Sequence, residues 1–109
     1  MKNDDRIQPY QQNPTYWQYK GEPVLLVGGS KTDHIFLLDD LKEHLDDIHA
    51  VGGNYVRNTM SQREAETLKP YLRQEDGDFD LETWNDDYWQ RFENLLTWTA
   101  EREIFVQIE

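Results

Sequence analysis

An α/β fold is predicted by the order of apolar patterns along the chain, which runs strand, helix, strand, helix, strand. Three observations carry that reading. Val24-Leu25-Leu26-Val27 is a continuous apolar run closed by Gly28-Gly29-Ser30. Two later segments repeat apolar residues at helical spacing. The chain then closes on Ile104-Phe105-Val106-Gln107-Ile108-Glu109, a third strand pattern.

Taken in order, residues 1–13 read as a polar lead-in, with Pro9 and Pro14 interrupting regular structure. Residues 14–109 then form the folded unit. Thr15–Tyr19 and Glu22–Val24 alternate apolar and polar residues around Lys20-Gly21, which predicts a short hairpin. The second arm leads into Val24–Val27, expected to be a strand buried on both faces.

After a loop through Lys31-Thr32-Asp33-His34, Leu38, Leu41, Leu45 and Ile48 recur at helical spacing, and Val51 continues the face. Asp39 and Asp40 complement the helix dipole, and Gly52-Gly53 supplies a left-handed stop. Asn54–Met60 is the second strand. Ser61–Thr83 reads as an irregular connection, with a short helix near Glu64–Lys69 ended by Pro70. A second main helix begins near Asn85, with Tyr88, Phe92, Leu95, Leu96 and Thr99 as its inward stripe. A parallel sheet needs both faces covered. The expectation is therefore that these 109 residues are the opening part of a larger fold.

Charge narrows the partners. The 22 acidic residues outnumber the 11 Lys and Arg, giving a formal charge of -11. Phosphate recognition needs clustered cations, so nucleic acid and anionic membrane surfaces are not expected partners. No cysteine is present, which removes disulfides, thiolate metal sites and a Cys nucleophile.

Most motif-like segments read as ordinary structure. Gly28-Gly29-Ser30 follows a strand but lacks G-x-G-x-x-G, and the helix starts too far downstream to hold a pyrophosphate. Asp76-Gly77-Asp78-Phe79-Asp80 alternates carboxylates like a calcium loop, yet Leu81 and Asp87 stand where an EF-hand needs Gly and Glu. His44 and His49 miss the i, i+4 spacing of a helical metal pair. No metal or cofactor is expected.

Arg57 is the informative residue, a cation in an otherwise apolar and aromatic strand. A buried guanidinium must be paired. It either makes an ion pair, with Glu109 of the adjacent strand as candidate, or positions a catalytic carboxylate and keeps it ionised. In a parallel α/β fold, Gly29, Ser30, Arg57, Asn58 and Glu109 converge at one rim, where such folds bind ligands.

Several segments together resemble the opening of cellulase-like (β/α)8 glycoside hydrolases. Asn13–Ser30 is similar to their entry hairpin and first strand. Gly53-Asn-Tyr-Val-Arg-Asn58 resembles the second strand with its Asn-x-x-Arg pattern. Phe79-Asp80 followed by Trp84–Trp89 is similar to the entry into helix two, and Glu103–Glu109 to strand three of uncharacterised bacterial members. The resemblance implies the first three strands and two helices of a TIM barrel, preceded by a short hairpin. It implies a retaining hydrolase acting on O-glycosidic bonds, with acid/base and nucleophile at the ends of strands four and seven. Neither strand lies within this sequence, and a barrel takes about 250 residues. The 109-residue chain is therefore expected to be inactive alone, with the remainder of the barrel or another copy as partner.

On that reading Arg57 supports the nucleophile. Asp33, His34, Asn58 and Glu109 line the pocket rim, and Trp84 or Tyr71 stacks on a sugar face. The competing expectation is a small non-catalytic α/β binding module that oligomerises through its third strand.

Overall fold

The computed structural model describes residues 6–60 and 68–109. Two short extended segments open it, one of them unexpected. Gln8–Pro9 (β1) pairs antiparallel with Trp17–Tyr19 (β2), so the lead-in is partly structured. Pro9 is accommodated because β1 is an edge, where a missing N–H costs no ladder bond.

β2 pairs with Glu22–Val24 (β3) through the expected Lys20-Gly21 turn, in the register Tyr19↔Glu22. Both turn residues have positive φ, 54° and 82°, the signature of a type I′ turn whose twist matches the strands.

The run after β3 departs from expectation. Leu25 is 74% exposed and Val27 50%, while Val24 and Leu26 are half-buried, so this segment is covered on one side only. It is held by side-chain capture more than by a ladder. Asn54 Oδ1 accepts from the Val27 amide at 2.7 Å, and Asn54 Nδ2 donates to the Leu25 carbonyl at 3.0 Å. One parallel bridge joins Gly28 to Tyr55. Gly28 is required there, since a Cβ would stand 1.8 Å from the Tyr55 carbonyl oxygen.

A 3₁₀ turn (Ile35–Leu37) precedes the first helix, α1 (Leu41–Ala50). The helix starts three residues after the predicted Leu38, with Asp40 as N-cap. It buries Leu41, Leu45 and Ile48. Val51 lies beyond its end and is exposed, not part of the apolar face. Gly52 adopts φ +84° and ends the helix as expected.

Tyr55–Asn58 (β4) is the second long-range strand. It pairs in parallel with Phe105–Ile108 (β7), Tyr55 opposite Phe105 and Asn58 opposite Ile108. Between them lies a hairpin where the sequence suggested an irregular connection. Tyr71–Arg73 (β5) and Phe79–Trp84 (β6) pair antiparallel around a turn with Gly77 at φ +92°. The Asp76 side chain accepts from the Asp78 amide, so the calcium-like carboxylate pattern is turn chemistry. The helix expected near Glu64–Lys69 falls largely on residues 64–67, outside the described residues; Leu68 and Lys69 are not helical.

The second helix, α2 (Asp86–Glu101), has Asn85 at its N-cap position and carries Asp86 and Asp87 in its first turn. Tyr88, Leu95 and Thr99 are buried on its inner face, while Leu96 is 42% exposed and lies off it. Thr99 tolerates burial because its hydroxyl donates to the Leu95 carbonyl at 2.7 Å.

The core lies between the helices and β4. It comprises Ile35, Phe36, Leu41, Leu45, Ile48, Val56, Tyr88, Leu95 and Ile104. Phe36 meets Tyr88 and Phe92 edge-on, at centroid distances of 5.0 and 6.0 Å. Full burial of a side chain such as Leu45 or Leu95 is worth roughly 1.5–3 kcal/mol. No helix among the described residues is long and apolar enough to cross a membrane.

Candidate functional site

Strand alternation sorts β4 into two faces. Val56 and Asn58 are fully buried and face the helices, while Arg57 lies on the exposed side with half-buried Tyr55. The parallel register sets Gln107 beside Arg57. Four side chains from these strands then join in sequence. The Tyr55 hydroxyl donates to Gln107 Oε1, and Gln107 Nε2 donates to Glu109 Oε1 at 2.6 Å. Arg57 Nε donates to Glu109 Oε2 at 2.7 Å. Both Glu109 oxygens are thereby engaged and the carboxylate is fixed.

The Arg57 side chain is 52% exposed, so the expected buried guanidinium is instead a partly solvated one. Its hydrogen bond to Glu109, and then the charge of Glu109, raise an already high pKa. Arg57 therefore holds its positive charge at any working pH.

The strand backbone beneath Arg57 is also fixed. Ser30 Oγ donates to the Arg57 carbonyl and accepts from the Arg57 amide at 2.9 Å. This closes the Gly28-Gly29-Ser30 turn onto β4. A cleft of about 240 Å³ results, lined by Gly29, Ser30, Thr32, Asp33, Tyr55 and Arg57. A larger cleft, about 740 Å³, lies elsewhere, between the β2–β3 hairpin and the start of β7. Its walls mix the apolar Pro23, Val24, Leu96 and Ile104 with Lys20, Glu22 and Glu103. The smaller cleft is the chemical candidate because it gathers Arg57, Asp33 and hydroxyls beside β4, toward the strand end at which α/β folds bind ligands.

The expected residues do not all meet at this cleft. Arg57, Ser30, Gly29 and Asp33 meet at the cleft, and Glu109 reaches it through Arg57. Asp33 also accepts from the Thr59 amide through its carbonyl, at 2.6 Å. His34 precedes the 3₁₀ turn, half-buried, and does not line the cleft.

Asn58 requires correction. It is 0% exposed, its Oδ1 accepts from the Phe36 amide at 3.0 Å, and its Nδ2 lies 3.3 Å from Met60 Sδ. A side chain so committed cannot also meet a ligand at the rim. It satisfies a buried backbone donor instead.

Trp84 ends β6, away from that cleft. Tyr71 stacks on it with centroids 4.9 Å apart and planes 17° from parallel, so both anticipated aromatics belong to one stack.

Two members of the polar network were not anticipated, Tyr55 and Gln107. Their signal was parity: each sits two positions before an expected residue, Arg57 or Glu109, and so shares its face. Among the described residues no group of three or more His, Asp or Glu is arranged to hold a metal ion.

No protein-family model matches the chain, and no curated protein matches it. Solved structures do. The chain is similar to a glycoside hydrolase family 5 mannosidase from Rhizomucor miehei, with a TM-score of 0.70 and 15% identity. That match covers 99% of this chain and 28% of the mannosidase. It is also similar to a presumptive glycoside hydrolase from Bacteroides vulgatus ATCC 8482, with a TM-score of 0.65 and 12% identity, over 97% of this chain and 24% of the other. At such identities the likeness is one of fold. The mixed α/β arrangement matches part of a glycoside hydrolase, and the chain spans about a quarter of the length of these structures.

Proposed function

We propose that the chain is the N-terminal part of a (β/α)8 glycoside hydrolase that cleaves O-glycosidic bonds of a carbohydrate chain. The observation that carries this is the fold match to a mannosidase over 99% of the chain. The Arg57–Glu109 pair supports it, because the pair lies at the end of adjacent parallel strands, where barrel enzymes place their chemistry.

On this reading Arg57 is a positioning residue. Its charge favours the ionised form of a neighbouring carboxylate, which a nucleophile needs. Glu109 holds Arg57 through Nε, and the half-exposed guanidinium faces the cleft with Asp33. Retaining hydrolysis requires two carboxyl groups roughly 5–5.5 Å apart, one as nucleophile and one as acid/base. Both would come from strands outside these 109 residues. Asp33 in the cleft offers hydrogen bonds to sugar hydroxyls, and Trp84, away from it, an aromatic face.

The test uses the protein at its natural length with mannohexaose and cellohexaose. Proton NMR of the first-formed product should show hydrolysis of one of them with retained anomeric configuration. Hydrolysis of neither, or inversion, contradicts the proposal.

One observation favours a second reading. Among the described residues β7 pairs with β4 along one edge only, and Ile108 is 43% exposed. A non-catalytic module would cover that edge with another copy of itself. Sedimentation showing a stable dimer without glycosidase activity would select this reading.

A further inference from the structure

We propose that Trp84, Asp86 and Trp89 form a sugar-binding subsite outside the Arg57 cleft, taking an outer unit of an extended oligosaccharide. This deepens the carbohydrate reading above and rests on it for the class of ligand.

The construction of the cleft points to binding. Trp89 is its fixed wall: Nε1 donates to the Pro70 carbonyl at 3.0 Å, and Tyr88 and Phe92 meet the ring edge-on. The Asn85 amide donates to the same Pro70 carbonyl at 2.8 Å. One oxygen thus ties the start of the β5–β6 hairpin to the start of α2, with Trp84 immediately before the Asn85 attachment.

Trp84 is the platform. Tyr71 covers it in a near-parallel stack and Trp89 meets it at 87°, yet it remains 55% exposed. A tryptophan placed only for packing would bury most of its large apolar area. Here two aromatic supports orient a ring whose remaining surface faces solvent. Asp86 completes the cleft, which has a volume of about 330 Å³, near the lower end of the roughly 300–1,000 Å³ typical of ligand sites.

The combination selects the ligand. A flat apolar ring receives the C–H face of a pyranose, and a carboxylate accepts hydrogen bonds from its hydroxyls. Asp86, in a chain of net charge -11, disfavours anionic ligands such as nucleotides.

Topology supplies the link to the main cleft. The β5–β6 hairpin lies in the connection leaving β4 after Asn58, the end of the strand that carries Arg57. The two clefts share no lining residue. A ligand occupying both would be longer than one sugar, so the proposed ligand is an oligosaccharide chain.

The test is titration of the natural-length protein with mannohexaose and cellohexaose, followed by tryptophan fluorescence and calorimetry. The expected result is saturable binding of one hexasaccharide, weakened about tenfold or more by Trp84→Ala and severalfold by Asp86→Asn. Trp84→Phe, which keeps the stack on Tyr71, should stay within about threefold of wild type. It thereby separates lost binding from lost folding. The Trp84→Ala loss should shrink for the corresponding disaccharide. Wild-type affinity in Trp84→Ala, or no binding of either hexasaccharide by the wild type, overturns the subsite. Binding without any hydrolysis would remove the hydrolase reading and leave the subsite standing. Hydrolysis with unchanged Trp84→Ala affinity would do the reverse.

Discussion

Arg57 and Glu109 stand 52 positions apart in sequence, yet their side chains meet at 2.7 Å across two parallel strands. The contact is a consequence of register. With Arg57 opposite Gln107, Glu109 falls one same-face step further along β7 and its carboxylate reaches back to Nε. Gln107 and Tyr55 hold the carboxylate from its other side.

Asn58 is a structural residue, so its loss should appear in stability. Asn58→Ala strands the buried Phe36 amide without an acceptor. The expected cost is roughly 2–3 kcal/mol, an unsatisfied donor plus a small cavity. Urea unfolding measures it. A wild-type midpoint together with weakened oligosaccharide binding would return Asn58 to the ligand site.

The two neighbouring glycines should respond in opposite ways. A Cβ at Gly28 would collide with the Tyr55 carbonyl, so Gly28→Ala should separate this segment from β4 and cost on the order of 3 kcal/mol or more. At Gly29 nothing lies within 4 Å, and Gly29→Ala should stay within about 0.5 kcal/mol of wild type. Equal thermal midpoints for both variants would place the segment elsewhere.

His44 makes stability fall in mild acid. Its Nε2 accepts from the Lys31 amide at 3.3 Å, which only a neutral imidazole can do. Burial lowers its pKa below the usual 6.5, aided by the Lys31 charge and opposed by Asp40 and Asp47. The unfolded state then binds the proton more readily. The contribution is complete above pH 6.5 and is lost as pH falls from there through the lowered folded pKa. His44→Gln keeps an acceptor but does not titrate. Its thermal midpoint should drop less than the wild type's between pH 7.5 and 5, and identical drops would remove His44 from the account.

The β2–β3 turn leaves room for stabilisation. Lys20 holds φ 54° in a type I′ turn, where Asn is preferred. Lys20→Asn should raise stability by about 0.5 kcal/mol, within the range of turn optimisation. An unchanged or lowered midpoint in thermal unfolding would count against the turn assignment.

Legibility in the sequence followed the type of signal. The β2–β3 hairpin, both helices, β4 and β7 were readable because each has its own periodicity or turn chemistry. The Arg57–Glu109 pair was readable because both residues end strand patterns. The β5–β6 hairpin was missed because its strands are largely exposed: Leu72 is 46% and Leu81 73% exposed, so no buried face imposes an alternation. The solvent exposure of Leu25 and Val27 is equally invisible to a pattern that records only apolar character. Asn58 was misplaced by parity. It follows Arg57 directly, so in a strand it must point to the opposite face.

The most direct test of the central claim is the steady-state kinetics of Arg57→Ala in the natural-length protein, on whichever hexasaccharide it hydrolyses. A guanidinium that keeps a nucleophilic carboxylate ionised and aligned acts mainly on the chemical step. The account predicts a fall in kcat of about a hundredfold or more, with KM changed only a few-fold and the folded state retained. Glu109→Gln should give a smaller fall in the same direction, with a thermal midpoint close to wild type because the pair is partly solvated. An unchanged kcat in Arg57→Ala would contradict the account and leave the pair as surface structure.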